Sequence, residues 1–313
     1  MAERTTLQLT TPQSSVRRRL WHAAVALASA AGAAAAETPA DDRARSDDDI
    51  RIPEIFASTL PGTMRRHQLR LVFHPRFGDF ERYDYVRLPL VLRYGLSDRW
   101  QVEGEVQGYF SHGLSGPAFF EEYGFSRARL ETKYRFERQL LPSWDTAVGA
   151  EVSRPISNPP PGTMDGLRHH RSYITFARRL EARPQIRVFW EVMTDFVDQT
   201  EFEAKIRANE PRDDTVGLSA GFVWDRPSVH YTFETSALTT RLFGQDDEDI
   251  FYLRPGIIWD IPQRYTFYGK GQWQIGVGTR MSFGPDGTDV GFSGKLRINF
   301  DAKRWFRRSA AGR

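Results

Sequence analysis

The fold class is indicated by residues 85–110, which read YVRLPLVLRYGLSDRWQVEGEVQGYF. Before the Gly-Leu-Ser-Asp turn, apolar side chains occupy every second position, and Arg87 and Arg93 lie between them. After the turn, Glu103 and Glu105 alternate with valine and glycine. Successive side chains of a β-strand point to opposite faces, so this alternation predicts two strands joined in a hairpin. One face of the hairpin is charged and the other is apolar.

Such a hairpin fits either a soluble sandwich, with the apolar face in a core, or a membrane barrel, with the apolar face in lipid. The alternation recurs along the chain and predicts about twelve strands of about ten residues, an even number as bacterial outer-membrane barrels require. Aromatic residues flank both ends of most strands, as in the interfacial girdles of such barrels. The sequence therefore predicts an all-β fold, a closed antiparallel transmembrane β-barrel.

The predicted connections alternate in length, which is the asymmetry of barrels with short periplasmic turns and longer extracellular loops. The short turns are expected at 95–98, 138–143, 181–183, 225–227 and 261–263. The longer loops are expected at 112–121, 156–167, 199–213 and 241–248.

Composition excludes several other classes of protein. The 313 residues include no cysteine, so disulfides, thiolate metal sites and a lipoprotein anchor are excluded. After residue 36, no apolar run approaches the roughly 20 residues that a membrane helix needs. The net charge of +3 indicates no nucleic-acid partner. No cofactor and no metal site is expected.

The chain divides into four predicted segments. A basic run, an alanine-rich stretch and a small-residue cleavage site predict a signal peptide over 1–36, hence export to the bacterial outer membrane. Residues 37–66 begin with many aspartates and predict a flexible periplasmic segment whose later part lies against the barrel mouth. The barrel is expected over 67–300, followed by a tail over 301–313. The expected partners are outer-membrane lipid, lipopolysaccharide and the barrel-assembly machinery.

The turn from Leu92 to Trp100, LRYGLSDRW, carries a resemblance to a known family. It resembles the "RYGL-[ST]-D" turns that are common in outer-membrane barrels related to the meta-pathway phenol-degradation family. The resemblance covers one turn and the general layout. It implies a Gram-negative outer-membrane barrel and does not specify a substrate.

Charged residues on the predicted inward face are the candidate solute contacts. They are Arg87, Glu103, Glu105, Arg127, Arg129, Lys133, Arg171, Arg187, Glu191, Arg254, Lys270, Lys295 and Arg297. One interpretation is structural, because small barrels fill their interiors with cross-strand ion pairs. The other is a channel or transporter for small solutes, in which a surplus of basic residues favours small anionic or polar solutes.

The sequence leaves two alternatives to a channel. The first is a plugged structural or adhesion barrel without transport. The second is an outer-membrane hydrolase, because His230, Ser228 and Ser236 follow one another closely. These three residues share an inward face, whereas an enzyme acting on membrane lipid needs an outward nucleophile, so no catalytic residues and no enzyme activity are expected. His169 and His170 are expected to be solvated rather than bound to metal.

Overall fold

The computed structural model describes most of the chain as a single antiparallel sheet that closes on itself. The described residues are 54–77, 85–114, 116–158, 160, 163–202, 213–243, 249–265 and 273–301. The strands are β1 (Gln68–Phe73), β2 (Arg76–Phe77), β3 (Tyr85–Gly95), β4 (Trp100–Ser111), β5 (Tyr123–Leu141), β6 (Trp144–Pro155), β7 (Arg168–Leu180), β8 (Arg183–Asp198), β9 (Thr215–Asp225), β10 (Val229–Thr239), β11 (Ile250–Ile261), β12 (Trp273–Gly284) and β13 (Gly287–Asp301). The predicted signal peptide and the tail after residue 301 lie outside the described residues.

The barrel has twelve strands because β1 and β2 together form one of them. Both pair with β3 on one side and with β13 on the other. Pro75 separates them, since it has no N–H to donate to the ladder. The pairing nevertheless continues across the break, because His74 N–H donates to the Pro89 carbonyl at 3.1 Å and Gly294 N–H donates to the Pro75 carbonyl at 2.9 Å. The predicted closed antiparallel barrel is confirmed.

The two faces of the wall are those that the alternation predicted. On the outward face, Leu90 and Val106 are cross-strand partners and are 47% and 42% exposed. On the inward face, Arg93 and Glu103 are paired in the same ladder and are 2% exposed each. Lipid therefore contacts the apolar face, and the charged face is enclosed. Among the described residues, no helix is long and apolar enough to cross a membrane.

The connections follow the predicted asymmetry with two exceptions. After β11, the predicted short turn at 261–263 extends through the 3-10 turn Gln263–Tyr265, and the next described strand, β12, begins at Trp273; residues 266–272 lie outside the described residues. Pro262 ends the ladder, and its carbonyl accepts from Tyr265 N–H at 2.9 Å in the 3-10 turn Gln263–Tyr265. At the opposite end, β12 and β13 meet in a tight turn, where Gly287 adopts a φ of 96°.

Residues 54–66, here called the plug, lie inside the barrel. Ile55, Leu60 and Met64 are at most 1% exposed. The chain leaves the barrel beside the periplasmic turn between β3 and β4, where Arg66 N–H donates to the Asp98 carboxylate at 2.9 Å and His67 N–H donates to the Gly95 carbonyl at 2.8 Å. The prediction of a flexible periplasmic segment therefore does not describe residues 54–66, because the barrel interior satisfies their backbone and buries their apolar side chains.

A charge on the outward face should destabilise the barrel. Leu90→Arg places a guanidinium in lipid near the middle of β3 and should lower the free energy of unfolding by about 2–4 kcal/mol. The midpoint of urea unfolding in lipid vesicles, followed by tryptophan fluorescence, measures this change. Leu114→Arg is the control, since Leu114 lies in the loop after β4 and is 69% exposed. Equal effects of the two substitutions would show that the lipid-facing surface is misassigned.

Candidate functional site in the barrel lumen

The predicted solute contacts fall into two groups according to their burial. The buried ones are Arg87, Glu103, Glu105, Lys133, Arg187, Glu191, Lys295 and Arg297. The others are partly exposed: Arg127, Arg129, Arg171 and Arg254. Lys270 lies outside the described residues.

Most of these charges form ion pairs along the inner wall. Arg93 on β3 binds Glu103 on β4, and Glu103 also binds Arg129 on β5. Glu105, two residues further along β4, accepts from Arg127 at 2.6 Å and lies 3.0 Å from Arg129. Opposite charges on adjacent strands stabilise a sheet by about 0.2–1 kcal/mol per pair. The network ties the first half of the barrel together.

The same network continues into the second half of the barrel. Arg129 lies 3.1 Å from Glu151 on β6, and Arg171 on β7 lies 3.2 Å from Asp195 on β8. His169 lies between two carboxylates, with Nδ1 3.1 Å from Asp195 and Nε2 2.9 Å from Asp165. His169 is thus bound inside the wall network, in contrast to the solvated residue that was predicted. Among the described residues no group of side chains has the arrangement of a metal site.

The lumen contains more acids than the strand pattern assigned to it. Asp145, Asp225, Asp260 and Asp289 sit at strand ends and pair with inward cations. The expected surplus of basic residues is therefore smaller than predicted. The sequence analysis missed these acids because the alternation of apolar and polar residues breaks down where each strand meets its turn.

His230 is bound by two of these acids rather than by a serine. Its Nδ1 lies 2.7 Å from Asp225, and its Nε2 lies 3.1 Å from Asp260. Ser236 instead contacts Ser219 at 2.9 Å and accepts from Arg254 at 2.8 Å. These contacts leave neither ring nitrogen of His230 to activate Ser236.

The plug is bound to the wall through its backbone amides. Phe56 N–H donates to one oxygen of the Glu234 carboxylate at 2.8 Å. Ala57 and Ser58 donate to the other oxygen at 3.1 and 2.6 Å. One buried carboxylate of β10 therefore binds three consecutive amides at the tip of the plug, and hydrogen bonds to a charged group are stronger than neutral ones.

The carbonyls of the plug are bound by cations of the wall. Lys133 Nζ donates to the Leu60 carbonyl at 3.0 Å. Lys295 donates to the Ile55 carbonyl, and Arg297 donates to the Glu54 carbonyl. Side chains of the wall therefore supply the hydrogen-bond donors and acceptors that the buried backbone of the plug requires.

The side chain of Glu54 adds an ionic contact. Its Oε2 binds Arg93, and its Oε1 lies 2.6 Å from Lys295 Nζ and 3.9 Å from Arg297. Burial alone would raise the pKa of the Glu54 carboxyl, but the charges of Arg93, Lys295 and Arg297 together hold that pKa well below its usual range. Glu54 is therefore ionised within the lumen.

Phe56 occupies a hollow of the wall that is lined by glycine. A Cβ at Gly256 would lie 2.2 Å from the Phe56 ring, and a Cβ at Gly276 or Gly278 would lie 3.2 or 3.1 Å from it. These glycines face inward on the adjacent strands β11 and β12. The missing side chains make room for the ring, so the wall is shaped to accept this plug.

Beyond the tip of the plug, the lumen holds a cavity of about 330 Å³, here called the vestibule. Ala57 and Thr59 of the plug line its periplasmic side, and its wall is lined by carboxylates such as Glu105, Glu131 and Glu191 together with several arginines. Two of these, Arg76 and Arg254, form no ion pair with any described residue. Arg254 instead donates to Ser236 and stacks over the Tyr252 ring, with its guanidinium carbon 4.4 Å from the ring centroid. The vestibule thus presents two guanidinium groups that have no direct carboxylate partner among the described residues.

By sequence, the chain matches no family model and no curated protein. The fold is similar to that of an outer-membrane channel from Pseudomonas putida F1, with a TM-score of 0.51 and 12% identity over 76% of this chain and 96% of that one. The KdgM porin in complex with disordered oligogalacturonate aligns with a TM-score of 0.46 and 8% identity over 74% and 99%. The NanC porin aligns with a TM-score of 0.43 and 11% identity over 74% and 98%.

The chain therefore has the fold of a closed, twelve-stranded antiparallel transmembrane β-barrel, similar to that of an outer-membrane channel. The resemblance to the phenol-degradation family, together with the signal peptide, remains a prediction.

The glycine hollow can be tested by filling it. Gly256→Ala should displace the Phe56 ring, because the added methyl group would lie within 2.2 Å of it, and should loosen the plug. Hydrogen–deuterium exchange at the amides of residues 55–60, followed by mass spectrometry, should become faster. Gly104→Ala is the matched control, since a Cβ there has nothing within 4 Å. Unchanged exchange in Gly256→Ala would contradict the proposed seating of Phe56.

The carboxylate of Glu234 can be tested in the same experiment. Glu234→Gln removes the charge that binds the amides of residues 56–58 and should speed their exchange by about tenfold or more, since a hydrogen bond to a charged group contributes about 1.5–3 kcal/mol. Glu201→Gln, in an outer loop, should leave the exchange unchanged. If Glu234→Gln exchanges like the Glu201 variant, these amides are protected by something other than the carboxylate.

Proposed function

We propose that the protein is an outer-membrane channel for small solutes, and that its vestibule favours anions. The observation that carries this proposal is the vestibule itself, a cavity of about 330 Å³ enclosed by charged side chains within a closed barrel. A structural barrel needs no such space, because its interior can be filled by side chains. The likeness of the fold to a channel of the outer membrane supports the same function.

The preference for anions rests on a few arginines rather than on the total charge of the lumen. Most cations of the wall are paired with acids, as described above. Arg76 and Arg254 line the vestibule without a direct carboxylate partner among the described residues, and low-dielectric walls focus the field of such charges on the enclosed space. Basic groups on the wall of a pore favour anions. Small solutes that carry a negative charge are therefore the proposed substrates.

The plug favours a second candidate function, a structural or adhesion barrel without transport. It is buried and bound by several charged groups of the wall, so it narrows the periplasmic half of the lumen. In a channel, the plug must shift before a solute can pass through that half. The two functions therefore differ in whether the plug moves.

Conductance of the purified protein in planar bilayers separates the two functions. The channel hypothesis predicts discrete openings and, in a salt gradient, a reversal potential that indicates preference for anions. The preference should fade at high salt, since the screening length falls from about 10 Å at 0.1 M to about 3 Å at 1 M. A preference for cations would contradict the anion proposal. Absence of conductance in both the wild type and Gly256→Ala would favour the structural barrel.

Substitutions of the arginines test the source of the preference. Replacing Arg76 and Arg254 together by glutamine should shift the reversal potential toward zero, because it removes two positive charges that have no direct carboxylate partner. Arg154→Gln is the control, since Arg154 is half exposed and pairs with Glu201 at the outer surface. An equal shift in the control would place the selectivity outside the vestibule.

A further inference from the structure

The cations that hold Glu54 have few other partners in the wall. Lys295 and Arg297 form ion pairs only with Glu54 among the described residues, and both side chains are nearly fully buried. Arg93 also binds Glu103, but Glu103 is shared with Arg129. Without Glu54, this part of the lumen would hold more positive than negative charge.

An enclosed charge that loses its partner is strongly unfavourable, because the surrounding protein solvates it poorly. If the plug leaves, the three cations must be compensated by water or by another anion. The wall therefore couples the position of the plug to the anions that are present in the lumen.

The arrangement of these cations selects for a carboxylate. Each of the two oxygens of Glu54 is bound from a different side, Oε2 by Arg93 and Oε1 by Lys295 and Arg297. A planar group with two acceptor oxygens satisfies all three cations at once. A spherical anion such as chloride offers a single centre and cannot replace both contacts.

We propose that Arg93, Lys295 and Arg297 form a carboxylate-binding subsite that the protein's own Glu54 occupies, so that a solute carrying a carboxylate competes with the plug for it. This proposal rests on the proposed function as an anion-favouring channel and specifies its substrate class. A carboxylate that enters the lumen thereby takes the place of Glu54 and favours release of the plug. In its absence Glu54 returns to the cations and the plug stays seated.

Thiol labelling measures release of the plug without relying on conductance. The chain contains no cysteine, so Met64→Cys places a single thiol in the plug at a position that is 1% exposed. Its reaction with N-ethylmaleimide in detergent micelles reports how often the plug leaves its site. The rate should rise in sodium acetate relative to sodium chloride at equal ionic strength. Leu114→Cys is the control, since Leu114 lies outside the plug in the loop after β4, is 69% exposed, and its labelling rate should not depend on the anion.

Substitutions in the Met64→Cys background identify the subsite. Glu54→Gln should speed labelling in chloride by about tenfold or more, because it removes contacts to three cations. Acetate should then add little, since the plug no longer competes for the subsite. Lys295→Gln should likewise abolish the effect of acetate. Glu201→Gln, an outer-loop carboxylate, should behave like the parent.

Equal labelling of the parent in acetate and chloride would overturn the proposal, and so would a Glu54→Gln variant that labels like Glu201→Gln. These outcomes are independent of transport. If labelling responds to acetate as expected but bilayers containing the same protein show no conductance, the subsite stands and the channel function fails. If the protein conducts but labelling is indifferent to acetate, only the carboxylate subsite is wrong.

Discussion

The structure depends on the need to compensate the charges that are buried in the wall of a narrow barrel. Alternation places arginine, lysine and glutamate side chains on the inner face, where solvation is poor and an unpaired ion is costly. The wall meets this need with cross-strand pairs such as Arg93 with Glu103. Where the wall lacks a partner, the plug supplies it. Glu54 neutralises the cations of β13, and the amides of the plug satisfy Glu234 on β10.

The charges of the lumen therefore have a structural role and a role in solute passage at the same time. Guanidinium and ammonium groups of the wall bind the carbonyl and carboxylate oxygens of the plug. The same groups would bind the oxygens of an anionic solute. The glycine hollow around Phe56 adds a shape requirement that the charges alone would not impose. The plug is thus held by the packing of Phe56 against the glycines and by ionic contacts. A small anion can replace only the ionic contacts.

The alternation seen at Arg87 and Leu90 predicted the direction of each face, and its recurrence in about twelve strands with aromatic residues at their ends predicted the barrel, because every strand that faces lipid must present apolar side chains to it. The plug was not predictable in this way. Residues 54–66 lack periodicity, and their contacts come from strands that are distant in the sequence. The signal available in the sequence was the set of inward-facing glycines at 256, 276 and 278. Neighbouring positions of the inner face that carry no side chain indicate that another segment of the protein fills the space. Asp225 was missed because it borders a turn.

The central claim is that residues 54–66 occupy the lumen. The most direct test is the distance between spin labels on cysteines introduced at Ala57 and Ser97, measured by double electron–electron resonance on the protein in lipid. Ala57 lies at the tip of the plug, and Ser97 lies in the periplasmic turn between β3 and β4. The account predicts a single narrow distribution that is shorter than the height of the barrel. A broad distribution extending beyond that height, as for a segment free in the periplasm, would contradict it.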